Sequence, residues 1–181
     1  MKAHILMVMA LAPGALLAQQ STMQMQHGHA GPVASVRPLY EMVKGYVTQS
    51  AELMPEANYS FKPTPDVRSF GELVGHVANA SYLFCSIVKG EKSPATTDFE
   101  KAATKAAVVQ GLKDAFAYCD GAYQISDMQA MEEVALPFGN MKGSKLWALA
   151  FNQSHDWEHY GNMVTYFRLK GLVPPSSRGG M

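Results

Sequence analysis

The sequence predicts an all-α protein, a four-helix bundle preceded by a signal peptide and a flexible linker. Three observations carry this. Four stretches of roughly 20 residues carry apolar side chains at helical spacing. Their ends coincide with capping residues, glycines and prolines. No segment of useful length alternates apolar and polar residues as a half-buried strand does, and no internal repeat is present.

The first 18 residues, ending "ALAPGALLA", hold one Lys, an apolar run and a Pro-Gly break before polar residues, the order of a secretory signal peptide. Cleavage is expected after Ala18, giving a periplasmic or secreted chain. The apolar run is too short for a stable membrane span, and no other segment qualifies. Residues 19–34 follow as the linker, polar and rich in Gln and Gly at their start. Met23, Met25, His27 and His29 in it are donors of the kind that capture copper; a spacer that happens to hold these residues is the plainer reading. The folded domain is placed at 35–177, with 178–181 a tail.

The first helix is expected from Val36 to Met54, with Leu39, Val43, Tyr46, Ser50 and Leu53 as its stripe and Pro55 as its stop. The second starts at Ser69. Ser69 and Glu72 have the spacing of a capping box, in which each side chain satisfies a free backbone donor. It runs to Val88, with Gly90 as a left-handed stop. After a mixed segment, 91–103, the third covers Thr104 to Ile125 through Val108, Leu112, Ala115, Phe116, Cys119 and Tyr123. A short element around Met128 to Val134 and a turn-rich connection lead to the fourth, Ser144 to Lys170, closed by Gly171, Pro174 and Pro175.

With 181 residues, 48% hydrophobic and 17% charged, the chain can bury one real core. Lys+Arg and Asp+Glu are 15 each, and no basic cluster exists, which argues against binding to the phosphates of nucleic acid. The two cysteines, Cys85 and Cys119, fall inside expected helices. A disulfide and two buried free thiols both remain open readings.

The residues that call for a function are histidines. His155 and His159 lie one turn apart, about 40° round the helix, on a stripe with Ala148, Phe151, Met163, Tyr166 and Leu169. His76 shares an apolar stripe of the second helix with Leu73, Ala80, Leu83 and Ile87. Cys85, about 180° round from His76, is excluded as a ligand of the same site. A buried imidazole needs a partner. Three on facing interior stripes can share one divalent ion, the i,i+4 pair giving two ligands and His76 the third. Zn or Ni suits such a set. Three neutral nitrogens leave open positions on the ion, the catalytic rather than the structural arrangement. Asn79, Asn152 and Asn162 each lie three residues from a histidine and are candidates to bond a ring nitrogen or metal-bound water. Glu158, Asp156 and Glu72 are the carboxylates placed to act as a general base near the open position; their plainer readings are a surface charge, a helix cap for Glu72, or, as for Glu158, a group that orients a ligand. No catalytic residue is assigned.

At this point the segments "NQSHDWEHYGNMVTYFRLKGLVPPSS" and "GELVGHVANASYLFCSIVKGE" resemble the fourth- and second-helix motifs of the DinB-like (DinB/YfiT-like) metalloenzymes, a likeness that covers Val36 to Ser177. The resemblance implies an up-down-down-up bundle and a divalent metal on His76, His155 and His159. It also implies a frequent homodimer and an activity of hydrolase or thiol S-transferase type on a small molecule. The export signal departs from that pattern and argues against a cytosolic thiol as cosubstrate. The alternative is a non-catalytic metal-binding helical bundle with a part in stress response. A wide polar pocket at the histidines would favour the enzyme, and a narrow dry one the alternative.

Overall fold

The computed structural model describes residues 30–179, a mostly helical chain of five helices and one two-stranded sheet. The expected signal peptide, its cleavage point and the Met/His tract at 23–29 lie outside the described residues.

Helix α1 spans Pro32–Leu53 and so takes in residues 32–34, which the sequence reading placed in the linker. Pro32 occupies the first turn, where a missing N–H costs nothing. The side chain of Asp127 accepts from the N–H of Val33, which has no partner within the helix, at 3.0 Å. Pro38 lies in the second turn of this helix. Of the expected stripe, Val43 and Ser50 are fully buried and Tyr46 is half-buried, but the two leucines are not. Tyr40, Val43, Val47, Ala51 and Met54 are fully buried, whereas Leu39 and Leu53 are exposed. Tyr40 anchors this face: its ring stacks on Tyr123 at 3.8 Å, and its hydroxyl donates to the Phe116 carbonyl and Asp120.

Helix α2, Phe70–Lys89, opens on the capping box foreseen from the sequence: Ser69 Oγ accepts from the Glu72 N–H, and Glu72 Oε2 from the Ser69 N–H. It closes on Gly90 at φ 68°. Helix α3, Lys105–Ala122, starts from Thr104, whose hydroxyl accepts from the Ala107 N–H, and ends before the expected Ile125. The short element beyond it is helix α4, Asp127–Ala130, followed by strand β1, Glu133–Ala135. Strand β2, Lys142–Ser144, pairs antiparallel with β1, Val134 facing Gly143. Strands of three residues are too short to show an alternating pattern in the sequence. Helix α5, Lys145–Leu169, is capped by Ser144 and followed by Gly171, as expected.

Helix α2 packs along α3 and α5, and α1 lies against α5 and α3, around one core that includes Tyr40, Phe70, Leu112, Tyr123, Leu149, Met163 and Phe167. Cys85 and Cys119 form a disulfide that joins α2 to α3, their Cα atoms 5.2 Å apart. This closes the choice left open between a bridge and free thiols, and it agrees with Cys85 facing away from His76. Among the described residues, no helix is long and apolar enough to cross a membrane.

Candidate metal centre

Helices α2 and α5 face each other along their middle turns, which brings His76 to His155 and His159. His155 Nε2 lies 3.2 Å from His76 Nε2 and 2.9 Å from His159 Nε2. One candidate ligand atom from each ring lies within 4.8 Å of the other two. His159 is buried, and the other two are partly buried. Nitrogens this close repel through their lone pairs unless a proton or a cation sits between them. Burial pushes the pKa of His155 down to about 4, with the neighbouring imidazoles adding to it. Burial likewise takes His159 to about 4. Both rings are therefore neutral at pH 7, the form in which imidazole binds metals.

The fit to an ion can be judged from these distances. Two nitrogens each about 2.0–2.1 Å from one zinc and at right angles to each other are about 2.9 Å apart, and a tetrahedral angle gives about 3.3 Å. The two pairs that include His155 fall in that interval, at 3.2 and 2.9 Å. The Nδ1 atoms of His155 and His159 are buried without a partner, and it is their Nε2 atoms that converge with Nε2 of His76.

His76 differs in having a partner on its far side. Its Nδ1–H donates to Glu100 Oε1 at 2.7 Å, and Arg68 Nε donates to Glu100 Oε2 at 2.9 Å. Partial burial opposes ionisation of Glu100, but the hydrogen bonds from Arg68 and His76 outweigh it and hold the carboxyl below its usual range. An ionised carboxylate only accepts, so Nδ1 of His76 carries the proton of this bond, and Nε2 is the ring atom turned toward His155.

The supporting groups expected from helical spacing go elsewhere. Asn79 bonds no ring: it donates to Asp98 at 2.7 Å and accepts from the Phe99 N–H at 3.1 Å. Asn152 is fully buried and donates to Asp156 and to the Tyr123 hydroxyl. Asn162 and Glu158 are exposed on the wall of a cavity beside His159. The three-residue spacing put each asparagine near the right turn, but partners on other elements drew two of them away. Asp156 is not a surface charge; it is fully buried, and burial pushes its carboxyl well up. Glu72 is a cap, as its plainer reading had it. Glu100 was missed. It lies in a segment without periodicity, 24 residues from His76, and no spacing rule points to it.

The cavity holds about 780 Å³, and Arg68, Glu100, Glu158, His159, Asn162 and Tyr166 are among its lining residues. The Tyr166 hydroxyl donates to the Arg68 carbonyl at 2.5 Å, which ties the loop before α2 to α5 at the cavity's edge.

Comparison with known proteins gives a consistent result. The protein YjoA of Bacillus subtilis, of uncharacterised function, is 29% identical over 71% of this chain and 84% of its own. The crystal structure of that DinB-like protein has a TM-score of 0.61 at 23% identity, covering 81% of this chain and 99% of the other. A DinB-like protein from Bacillus cereus has a TM-score of 0.69 at 14% identity over 84% and 99% of the two chains. A mycothiol-dependent maleylpyruvate isomerase has a TM-score of 0.62 at 15% identity, over 73% of this chain and 60% of its own. The sequence profile of the DinB superfamily matches residues 39–163, a span that begins in α1, ends past His159 and contains all three convergent histidines; the chain belongs to the DinB superfamily.

Proposed function

We propose that this protein is a divalent-metal-dependent enzyme of hydrolase or thiol S-transferase type, acting on a small molecule at His76, His155 and His159. The observation that carries the reading is the meeting of three imidazole nitrogens from two helices, two of the pairs at 2.9 and 3.2 Å. Zinc or nickel suits three neutral imidazoles. Bound there, the ion supplies Lewis-acid activation of a water or thiol near neutral pH. The protein's own groups do the rest. Glu100 orients His76, burial keeps His155 and His159 unprotonated, and the cavity beside His159 admits a ligand.

That cavity favours the enzyme over the non-catalytic metal-binding alternative, because a site meant only to hold an ion has no need of some 780 Å³ of open space with Arg68, Glu158 and Asn162 on its wall. Thiol chemistry gains support from the mycothiol-dependent isomerase that shares the fold. On the same reading the domain at 35–177 is an up-down-down-up four-helix bundle that forms a homodimer. It follows a signal peptide cleaved after Ala18 and a linker, in a periplasmic or secreted protein. The Cys85–Cys119 disulfide supports an oxidising compartment.

Elemental analysis of the purified protein beside His76→Ala, His155→Ala and His159→Ala tests the reading. Stoichiometric zinc or nickel in the wild type and its loss from each variant is the expected result. Metal-loaded protein is then assayed with low-molecular-weight thiols plus an electrophile, and with ester and amide substrates. Full metal loading without turnover of any of these would leave only the non-catalytic alternative.

A further inference from the structure

We propose that Glu100 is a positioning residue of this centre: clamped by Arg68, its carboxylate fixes His76 in the tautomer that offers Nε2, and the turn carrying it is built for that purpose. The inference rests on the three-histidine reading and concerns how one of those rings is prepared.

The bond from His76 Nδ1 to Glu100 is 2.7 Å, and the other carboxylate oxygen is taken by Arg68 at 2.9 Å. Both oxygens of Glu100 are thus assigned, which leaves its plane little freedom. Arg68 is itself held, because its carbonyl accepts from Tyr166 on α5. The result is a chain from α5 through Arg68 and Glu100 to His76 on α2, closed by His76 facing His155 and His159.

The turn that presents Glu100, Phe99–Lys101, is fastened at three places. Asn79, one turn beyond His76, holds its start by bonding both Asp98 and the Phe99 N–H. Asp98 also accepts from the Glu100 N–H at 3.1 Å. Gly75, the neighbour of His76, lets the backbone of the turn rest on α2: a Cβ there would lie 2.3 Å from the Phe99 carbonyl oxygen. Gly111 on α3 does the same for the Phe99 ring, where a Cβ would lie 2.2 Å away. A carboxylate that merely satisfied a stray imidazole would not need backbone clearance on two helices. Here the glycines and the asparagine all act on the residue next to Glu100. Carboxylates that accept from the far nitrogen of a ligating histidine fix its orientation and raise its basicity, and their loss costs about 10–100-fold in metal affinity. His155 and His159 have no such partner, so His76 is the ring that Glu100 prepares.

Two readouts test this on the full chain. In the metal-free protein, the ¹⁵N shifts of the His76 ring are expected to show Nδ1 protonated and Nε2 free, and Glu100→Ala is expected to shift the ring toward the other tautomer. This measurement needs no metal and no activity, so it separates failure of the inference from failure of the enzymatic reading. Zn²⁺ affinity by competition with a chromophoric chelator is expected to fall about 10–100-fold in Glu100→Ala, with Glu133→Gln, an exposed carboxylate on β1, unchanged. Gly75→Ala is expected to lower affinity with Glu100 intact, by lifting the turn. Where Glu100→Ala does not fold, Glu100→Gln carries both measurements, with a smaller loss of affinity expected because it keeps an acceptor oxygen without the charge. Zn²⁺ affinity within twofold of wild type in the folded Glu100 variant, or a wild-type His76 already protonated on Nε2, would overturn the proposal.

Discussion

At the scale of single residues, the protonation of the buried groups gives the sharpest expectations. His155 and His159 have pKa values near 4 in the fold and about 6.5 in an unfolded chain. Between those values the unfolded chain binds more protons, so these two residues contribute stability that is complete above pH 6.5 and is lost as pH falls toward 4. Replacing both with Gln should therefore flatten the acid side of the metal-free protein's melting profile, read by circular dichroism from pH 7 to 4. Asp156 works in the opposite direction. Its folded pKa is raised by burial, so the fold holds its proton where the unfolded chain has released it, and stability falls as pH rises above about 4. Asp156→Asn, which keeps the shape and cannot ionise, should raise the melting temperature more at pH 8 than at pH 4; an equal shift at both would mean that the carboxyl ionises freely in the fold. The three histidines were legible in the sequence because helix geometry alone places residues 155 and 159 on one face and 76 on an apolar stripe. Glu100 was not, because it reaches His76 from a turn whose position is set by Phe99, Gly75 and Gly111, and those contacts join three separate elements. Asp156 was misread for a related reason: its burial follows from what α5 packs against, which its own helix does not reveal.

At the scale of elements, the helix ends were the most readable feature. Ser69, Ser144, Gly90 and Gly171 sit where capping chemistry puts them, because a cap is a local event that satisfies local backbone groups. Ser69→Ala removes one half of the α2 box and should cost about 1 kcal/mol in urea unfolding with an unchanged m value. The face of α1 was less readable. Leucine at 39 and 53 suggested the ends of the stripe, but Tyr40 found a stacking partner and two acceptors on α3 and its C-terminal end, and Leu39 and Leu53 are left exposed while Val43 and Ser50 stay buried. Its start lies four residues before the expected Val36, where Pro32 takes the first turn and Asp127 meets the free N–H of Val33.

At the scale of the whole molecule, the disulfide is a contribution to stability that a reductant can switch off in solution. It spans 34 residues of chain, and closing a loop of that length in the unfolded ensemble is worth about 3–4 kcal/mol. Cys85→Ala/Cys119→Ala should lower the stability read from urea unfolding by that amount; a loss below about 1 kcal/mol would mean that native packing, or structure in the unfolded chain, already does the work of the crosslink.

Helix α2 thus stands between two kinds of fastening. On one side sulfur joins it to α3; on the other, nine residues or about 13 Å along its axis, an ion shared by the imidazoles would join it to α5. The two ties point in opposite directions from the same rod and have no partner residue in common. Adding a chelator and adding a reductant should therefore loosen opposite flanks of the molecule, and the two losses should sum to within about 0.5 kcal/mol when both are applied.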